Sequence, residues 1–133
     1  KGDWDGLTAA KPPAGVNPQL VSSWVSGGKV ESVPGDKDVF EDGSVIMLYT
    51  PGHTPGHHSL LVKLPQSGAY ILSGDAIHFR ENYDAFGVPA FNYDRAQTVA
   101  SMERIKGLVA SQKAKLILQH DARDVEKLPA FPW

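Results

Sequence analysis

The chain has 133 residues, 41% of them apolar, a net charge of -2 and no cysteine. That length suits one domain with a real core, and without thiols any metal must be held by histidines and carboxylates. Scattered Lys and Arg give no basic footprint for nucleic acid, and no run approaches the roughly 20 apolar residues of a membrane helix. No signal peptide is visible, which makes the cytoplasm the expected location. The opening Lys1-Gly2-Asp3-Trp4 is not start-like, so the chain is expected to begin partway through a longer protein.

Residues 1–28 hold Pro12, Pro13, Gly15, Pro18, Gly27 and Gly28 and read as loop, with a short helical turn over 18–25. Residues 30–33 are a weak strand candidate, and 35–43 a turn-rich hairpin region. Val45 to Tyr49 is a strand by its apolar and β-branched content. Residues 59–64 form another, and Pro65-Gln66-Ser67-Gly68 turns it back into an antiparallel neighbour over 69–73. The clearest helix is 95–112. Asp94 is its expected N-cap, with Gln97 placed for a capping box, and Val99, Met102, Ile105, Leu108 and Val109 fall on one face for the core. A buried strand over 115–119 follows, and 128–133 reads as an irregular tail on the surface.

Chemistry-bearing residues recur at strand ends. The run Val45-Ile46-Met47-Leu48-Tyr49 breaks into Thr50-Pro51-Gly52-His53-Thr54-Pro55-Gly56-His57-His58. A histidine on such a stiff loop is fixed before a metal arrives. Tyr70-Ile71-Leu72 leads into Ser73-Gly74-Asp75, where the glycine lets the backbone turn sharply, and Leu116-Ile117-Leu118 leads into Gln119-His120-Asp121. His53, Asp75 and His120 could therefore point to one centre. Taken singly each is ambiguous, since an Asp after Gly often serves a turn.

These segments resemble the later metal motifs of the metallo-β-lactamase-fold hydrolases. Within that superfamily the resemblance is strongest to the N-acyl homoserine lactone lactonases. It runs over 45–132 and includes Arg80-Glu81-Asn82-Tyr83, Phe91-Asn92-Tyr93-Asp94 and Ser101-Met102-Glu103-Arg104-Ile105-Lys106. The resemblance implies an α/β fold, the αββα sandwich. Residues 1–133 would be roughly the C-terminal half of one such domain, a sheet layer with flanking helices.

The resemblance also implies two zinc ions: His53 on one, His120 on the other and Asp75 bridging. His57 takes a structural or supporting role behind them. Asp121 either orients a neighbouring ligand or caps a turn, and His58 belongs to the core or a sheet edge. Lactonases carry a tyrosine at the position of His78 to hold the substrate carbonyl; an imidazole there could donate a hydrogen bond, act as acid, or be a surface histidine. The loop over 83–93, with Phe86 and Phe91, is either a wall for an acyl chain or plain packing. The implied activity is quorum-quenching lactone opening by a metal-bridging hydroxide, with Asp75 handling the proton. The alternatives are a thioester or other lactone hydrolase of the same superfamily, and a non-catalytic fragment.

One departure is large. The superfamily's His-x-His-x-Asp-His motif is absent, and no histidine precedes His53. This chain alone is therefore expected to hold zinc partially or not at all, and to expose an apolar sheet face. Completion by a missing N-terminal half, a complementary chain or a homo-oligomer follows as the expectation.

Overall fold

The computed structural model describes residues 1–12 and 16–128. Two short N-terminal helices, α1 (Gly2–Leu7) and α2 (Ser22–Val25), precede the sheet. Its strands are β1 (Lys37–Asp38), β2 (Val45–Tyr49), β3 (His58–Leu64), β4 (Gly68–Leu72) and β5 (Lys115–Ile117), side by side in sequence order. Helices α3 (Arg80–Ala85) and α4 (Arg95–Ser111) connect β4 to β5, and α5 (Ala122–Val125) follows.

The connections set the directions. Short loops make β1–β2, β2–β3 and β3–β4 antiparallel, while the long helical crossover makes β4–β5 parallel. β2, β4 and β5 therefore all run the same way, and their C-terminal ends lie along one edge. That is where the sequence puts His53, Asp75 and His120.

Alternation divides the sheet into two faces. Ile46, Leu61 and Ile71 are in register, and they join Leu48, Ile77, Leu118 and the α4 residues Met102 and Ile105 in one core cluster. Ile71, Ile77, Met102, Ile105 and Leu118 are fully buried, each stabilising the fold by about 1.5–3 kcal/mol. On the other face Met47, Leu60 and Leu72 are in register and remain partly exposed.

The expected strands over 45–49, 59–64 and 69–73 are present to within a residue, as is the long helix. Asp94 caps α4 by accepting from the Gln97 amide at 2.9 Å. The box is not reciprocal, because the Gln97 side chain donates to the Asp94 carboxylate while the Asp94 amide donates to Gly52 O. Residues 30–33 are not a strand; the edge of β2 is taken by β1, and Val33 O instead accepts from the Lys1 amino terminus. β5 ends early because the Leu118 amide turns away to the Asp124 carboxylate. Helices α1, α3 and α5 were not anticipated, being only four to six residues long. Most of the expected tail, 129–133, lies outside the described residues. Among the described residues no helix is long and apolar enough to cross a membrane.

Candidate metal centre

His53 sits on a loop pinned to the start of α4. Gly52 has φ 132°, and a Cβ there would collide with the backbone and side chain of Thr98. Pro51 O accepts from Ser101 Oγ at 2.7 Å, and Gly52 O accepts from the Asp94 amide and from Asn92 Nδ2, both at 2.8 Å. With its amide group turned to Gly52, Asn92 presents Oδ1 to His53 Nδ1 at 3.2 Å. That contact makes Nδ1 the donor and leaves His53 Nε2 facing Asp75 Oδ2 at 3.6 Å.

Asp75 follows Gly74, whose φ is 55° and whose Cβ, if present, would come within 2.7 Å of His57 Nε2. The Gly74 amide donates to Gln119 Oε1 at 2.5 Å, tying this loop to the one that carries His120. The Asp75 amide donates to His57 Nε2 at 2.9 Å, and His57 Nδ1 donates to Thr50 O at 2.9 Å. Both His57 nitrogens are thus occupied in holding the loops. Burial lowers its pKa, against the opposing charge of Asp75 and the Thr50 contact, so it stays neutral. Beneath it Thr50, Ser59 and Ser73 form a buried chain: Thr50 Oγ1 meets Ser59 Oγ at 2.9 Å, and Ser59 Oγ donates to Ser73 O at 2.8 Å.

His120 Nε2 reaches Asp75 Oδ1 at 2.6 Å, so the two oxygens of one carboxylate face two different imidazoles. Burial raises the Asp75 pKa, but the His120 hydrogen bond and the nearby His53, His120 and His78 outweigh it and hold the carboxyl below its ordinary value. His78 stacks on His120, with ring centroids 5.0 Å apart and planes 18° from parallel. Its own pKa is lowered, first by burial. Ligand-capable atoms of Asp75, His78 and His120 all lie within 4.8 Å of one another.

Phe91 is 73% exposed and stands edge-on to His53 and His78, 6.0 Å from each. Phe86 is elsewhere: it ends α3 at φ 53°, packs against the core, and lies under Lys106 Nζ of α4. The Asp121 carboxylate is taken up by the Arg80 amide and by the Arg123 amide and guanidinium, capping α5 and tying it to α3. His58 opens β3, with both ring nitrogens on backbone carbonyls, those of Gly56 and Gly35. The edge therefore gathers His53, Asp75, His78, His120 and Phe91, but not Phe86. Sequence reasoning assigned no role to Asn92 or Gln119. Their signal was faint, an amide among aromatics and an amide beside a histidine.

Beside His53 and Phe91 opens a cavity of about 520 Å³, bounded also by Leu7, Leu20, Val21 and Pro55.

The fold has counterparts in solved proteins. An N-acyl homoserine lactone hydrolase, with the product N-hexanoyl-L-homoserine at its catalytic metal center, superposes with a TM-score of 0.67 at 34% identity. The match covers 77% of this chain and 40% of that one. A probable metal-dependent hydrolase from Staphylococcus aureus shares the fold, at a TM-score of 0.57 and 18% identity over 67% of this chain and 31% of that one. The fold is thus that of the metallo-β-lactamase hydrolases, and the described residues of this chain form a five-stranded sheet with flanking helices.

Sequence narrows the kinship. An N-acyl homoserine lactonase of Bacillus thuringiensis is 35% identical over 105 residues, 79% of this chain and 38% of the relative. The lactonase AttM of Rhizobium radiobacter is 33% identical over 97 residues, 71% of this chain and 37% of the relative. The chain is thus similar to N-acyl homoserine lactonases in sequence and shares the metallo-β-lactamase fold with them. It spans about two fifths of the length of the curated relatives it matches. No family profile matches it.

Proposed function

We propose that this chain is part of a zinc-dependent lactonase that opens N-acyl homoserine lactones. The supporting observation is the meeting of His53, Asp75 and His120 at the ends of three like-directed strands, with the Asp75 carboxylate shared between the two imidazoles. The donors fit the metal: imidazole and carboxylate are zinc's usual ligands where thiolates are lacking. His53 would hold one ion, His120 the other, and Asp75 both. Zinc so held supplies Lewis acidity, activating water and polarising a carbonyl near neutral pH.

The rest falls to the chain's own side chains. Ring opening adds water to the lactone carbonyl carbon and breaks the bond from that carbon to the ring oxygen, which must gain a proton as it leaves. Asp75, ionised and at the opening, is placed to take a proton from the incoming water and return it to the leaving oxygen. Phe91 shields one flank of the imidazoles. The cavity beside His53 and Phe91 offers apolar walls for an acyl chain. Asn92, Gln119 and His57 keep the loops in place throughout.

The remaining ligands implied by the family come from outside these residues, so catalysis needs a complementary segment, supplied in the same chain, by another chain or by a second copy. The test is turnover of N-hexanoyl-homoserine lactone, and of a thioester with the same acyl group, by the zinc-loaded chain alone and with the complementary segment restored. Lactone opening only in the restored protein is the expected result. Thioester turnover without lactone turnover would move the reading to another hydrolase of the fold, and neither activity would leave a non-catalytic fragment.

A further inference from the structure

Among the described residues, four of the five histidines have a ring nitrogen engaged. His53 is held by Asn92, His57 by Thr50 O and the Asp75 amide, His58 by Gly56 O and Gly35 O, and His120 by Asp75. His78 is the exception. Neither of its nitrogens has a partner there, although the ring is partly buried and stacked on His120. It also belongs to the group, with Asp75 and His120, whose ligand atoms lie within 4.8 Å of one another. A free imidazole beside a carboxylate and a second imidazole is the donor chemistry of a three-ligand zinc site, in which the fourth position stays open.

We infer that His78 is itself a metal ligand, completing with Asp75 and His120 a one-ion site contained within this chain. The inference rests on the reading of Asp75 and His120 as ligands, and assigns His78 a role other than contact with the substrate carbonyl. It divides the centre in two. The ion on the His120 side has its three protein ligands here, whereas the His53 side depends on ligands from elsewhere. The chain is therefore expected to take up one divalent ion without any complementary segment, which narrows the expectation of partial or no occupancy to a single filled site.

The test uses cobalt(II) as the probe on the 133-residue chain, with visible absorption as the readout and zinc competition for affinity. One equivalent of cobalt should give the absorption of a four-coordinate site. His78→Ala should weaken binding by at least the ~10–100-fold that loss of a mere outer-shell partner costs. His78→Cys should restore it and add a thiolate-to-cobalt charge-transfer band; the chain has no other cysteine, so that band reports on position 78 alone. Circular dichroism checks that each variant is folded. No cobalt uptake by the parent overturns the inference, as does a His78→Cys variant that binds cobalt without the band. If Asp75→Asn and His120→Ala lose cobalt while His78→Ala does not, the inference fails and the ligand reading of Asp75 and His120 survives. Lactone turnover plays no part in these outcomes, so failure of the lactonase reading is separately visible.

Discussion

Residues 50–57 and the described residues of the N-terminal segment, 1–12 and 16–35, are held on opposite terms. The first segment is gripped from three sides: α4 through Ser101, Asp94 and Thr98, the sheet through Thr50 and Ser59, and the Asp75 loop through His57. The second has no buried residue in any of its helices and leaves Leu20, Trp24 and Val25 exposed. Among the described residues its side-chain hydrogen bonds to 50–57 come from Asp3, whose carboxylate accepts from Thr54 Oγ1 at 2.9 Å and from the Gly56 amide at 2.8 Å. The contrast shows that the imidazoles are positioned by buried polar bonds beneath them, while the N-terminal segment only leans on the loop from outside.

Gly52→Ala should break the gripped region most severely. It forces a Cβ into Thr98 at a φ that side chains rarely adopt, and denaturant unfolding should show a loss of about 3 kcal/mol or more. A loss under about 1 kcal/mol would mean the loop relaxes freely.

Asp124→Ala comes next. Its buried carboxylate accepts from the Leu118 amide, Arg80 and Lys127 and so fixes the segment beyond β5 that carries His120. About 2–3 kcal/mol should be lost in the same measurement. Burial raises the Asp124 pKa, but Arg80, Lys127 and the Leu118 amide bring it below its ordinary value. Its contribution is thus present above the unfolded carboxyl value of about 4 and disappears as pH falls through the lower folded value. Stability measured against pH should drop below about pH 4, and less steeply in Asp124→Asn.

Asn92→Ala should leave the fold nearly as stable but free the His53 ring, weakening metal affinity on the His53 side of the completed protein by ~10–100-fold. Unchanged affinity would show that the loop alone orients the ring. The smallest effect belongs to the leaning region: Asp3→Ala should cost about 1 kcal/mol or less, with hydrogen exchange quickening in 1–12 and not in β2–β4. Protection lost in β2 as well would erase the contrast.

The same contrast governs what could be read from sequence. Strands β2 to β4 and helix α4 were legible because apolar periodicity and burial coincide there, as at Ile71, Met102 and Ile105. Thr50-Pro51-Gly52-His53, Gly74-Asp75 and Gln119-His120 were legible as strand-end groups, since a strand's end can be counted. Asn92 and Gln119 were not assigned roles because a bond between residues 53 and 92, or 74 and 119, leaves no periodic trace. Phe86 could be read as an acyl-chain wall or as plain packing, and the left-handed turn at the end of α3, which swings it toward α4, favours packing. The short helices α1, α3 and α5 form through tertiary anchors, such as Asp3 on Thr54 and Arg80 on Asp124, rather than through local pattern.

The central claim is that the strand-end edge is a metal centre built on Asp75. Anomalous diffraction at the zinc edge, on crystals of the zinc-loaded chain, addresses it directly. A peak about 2.0–2.2 Å from both an Asp75 carboxylate oxygen and His120 Nε2 is the expected result. A crystal with zinc bound only elsewhere, and the Asp75–His120 hydrogen bond intact, would contradict it.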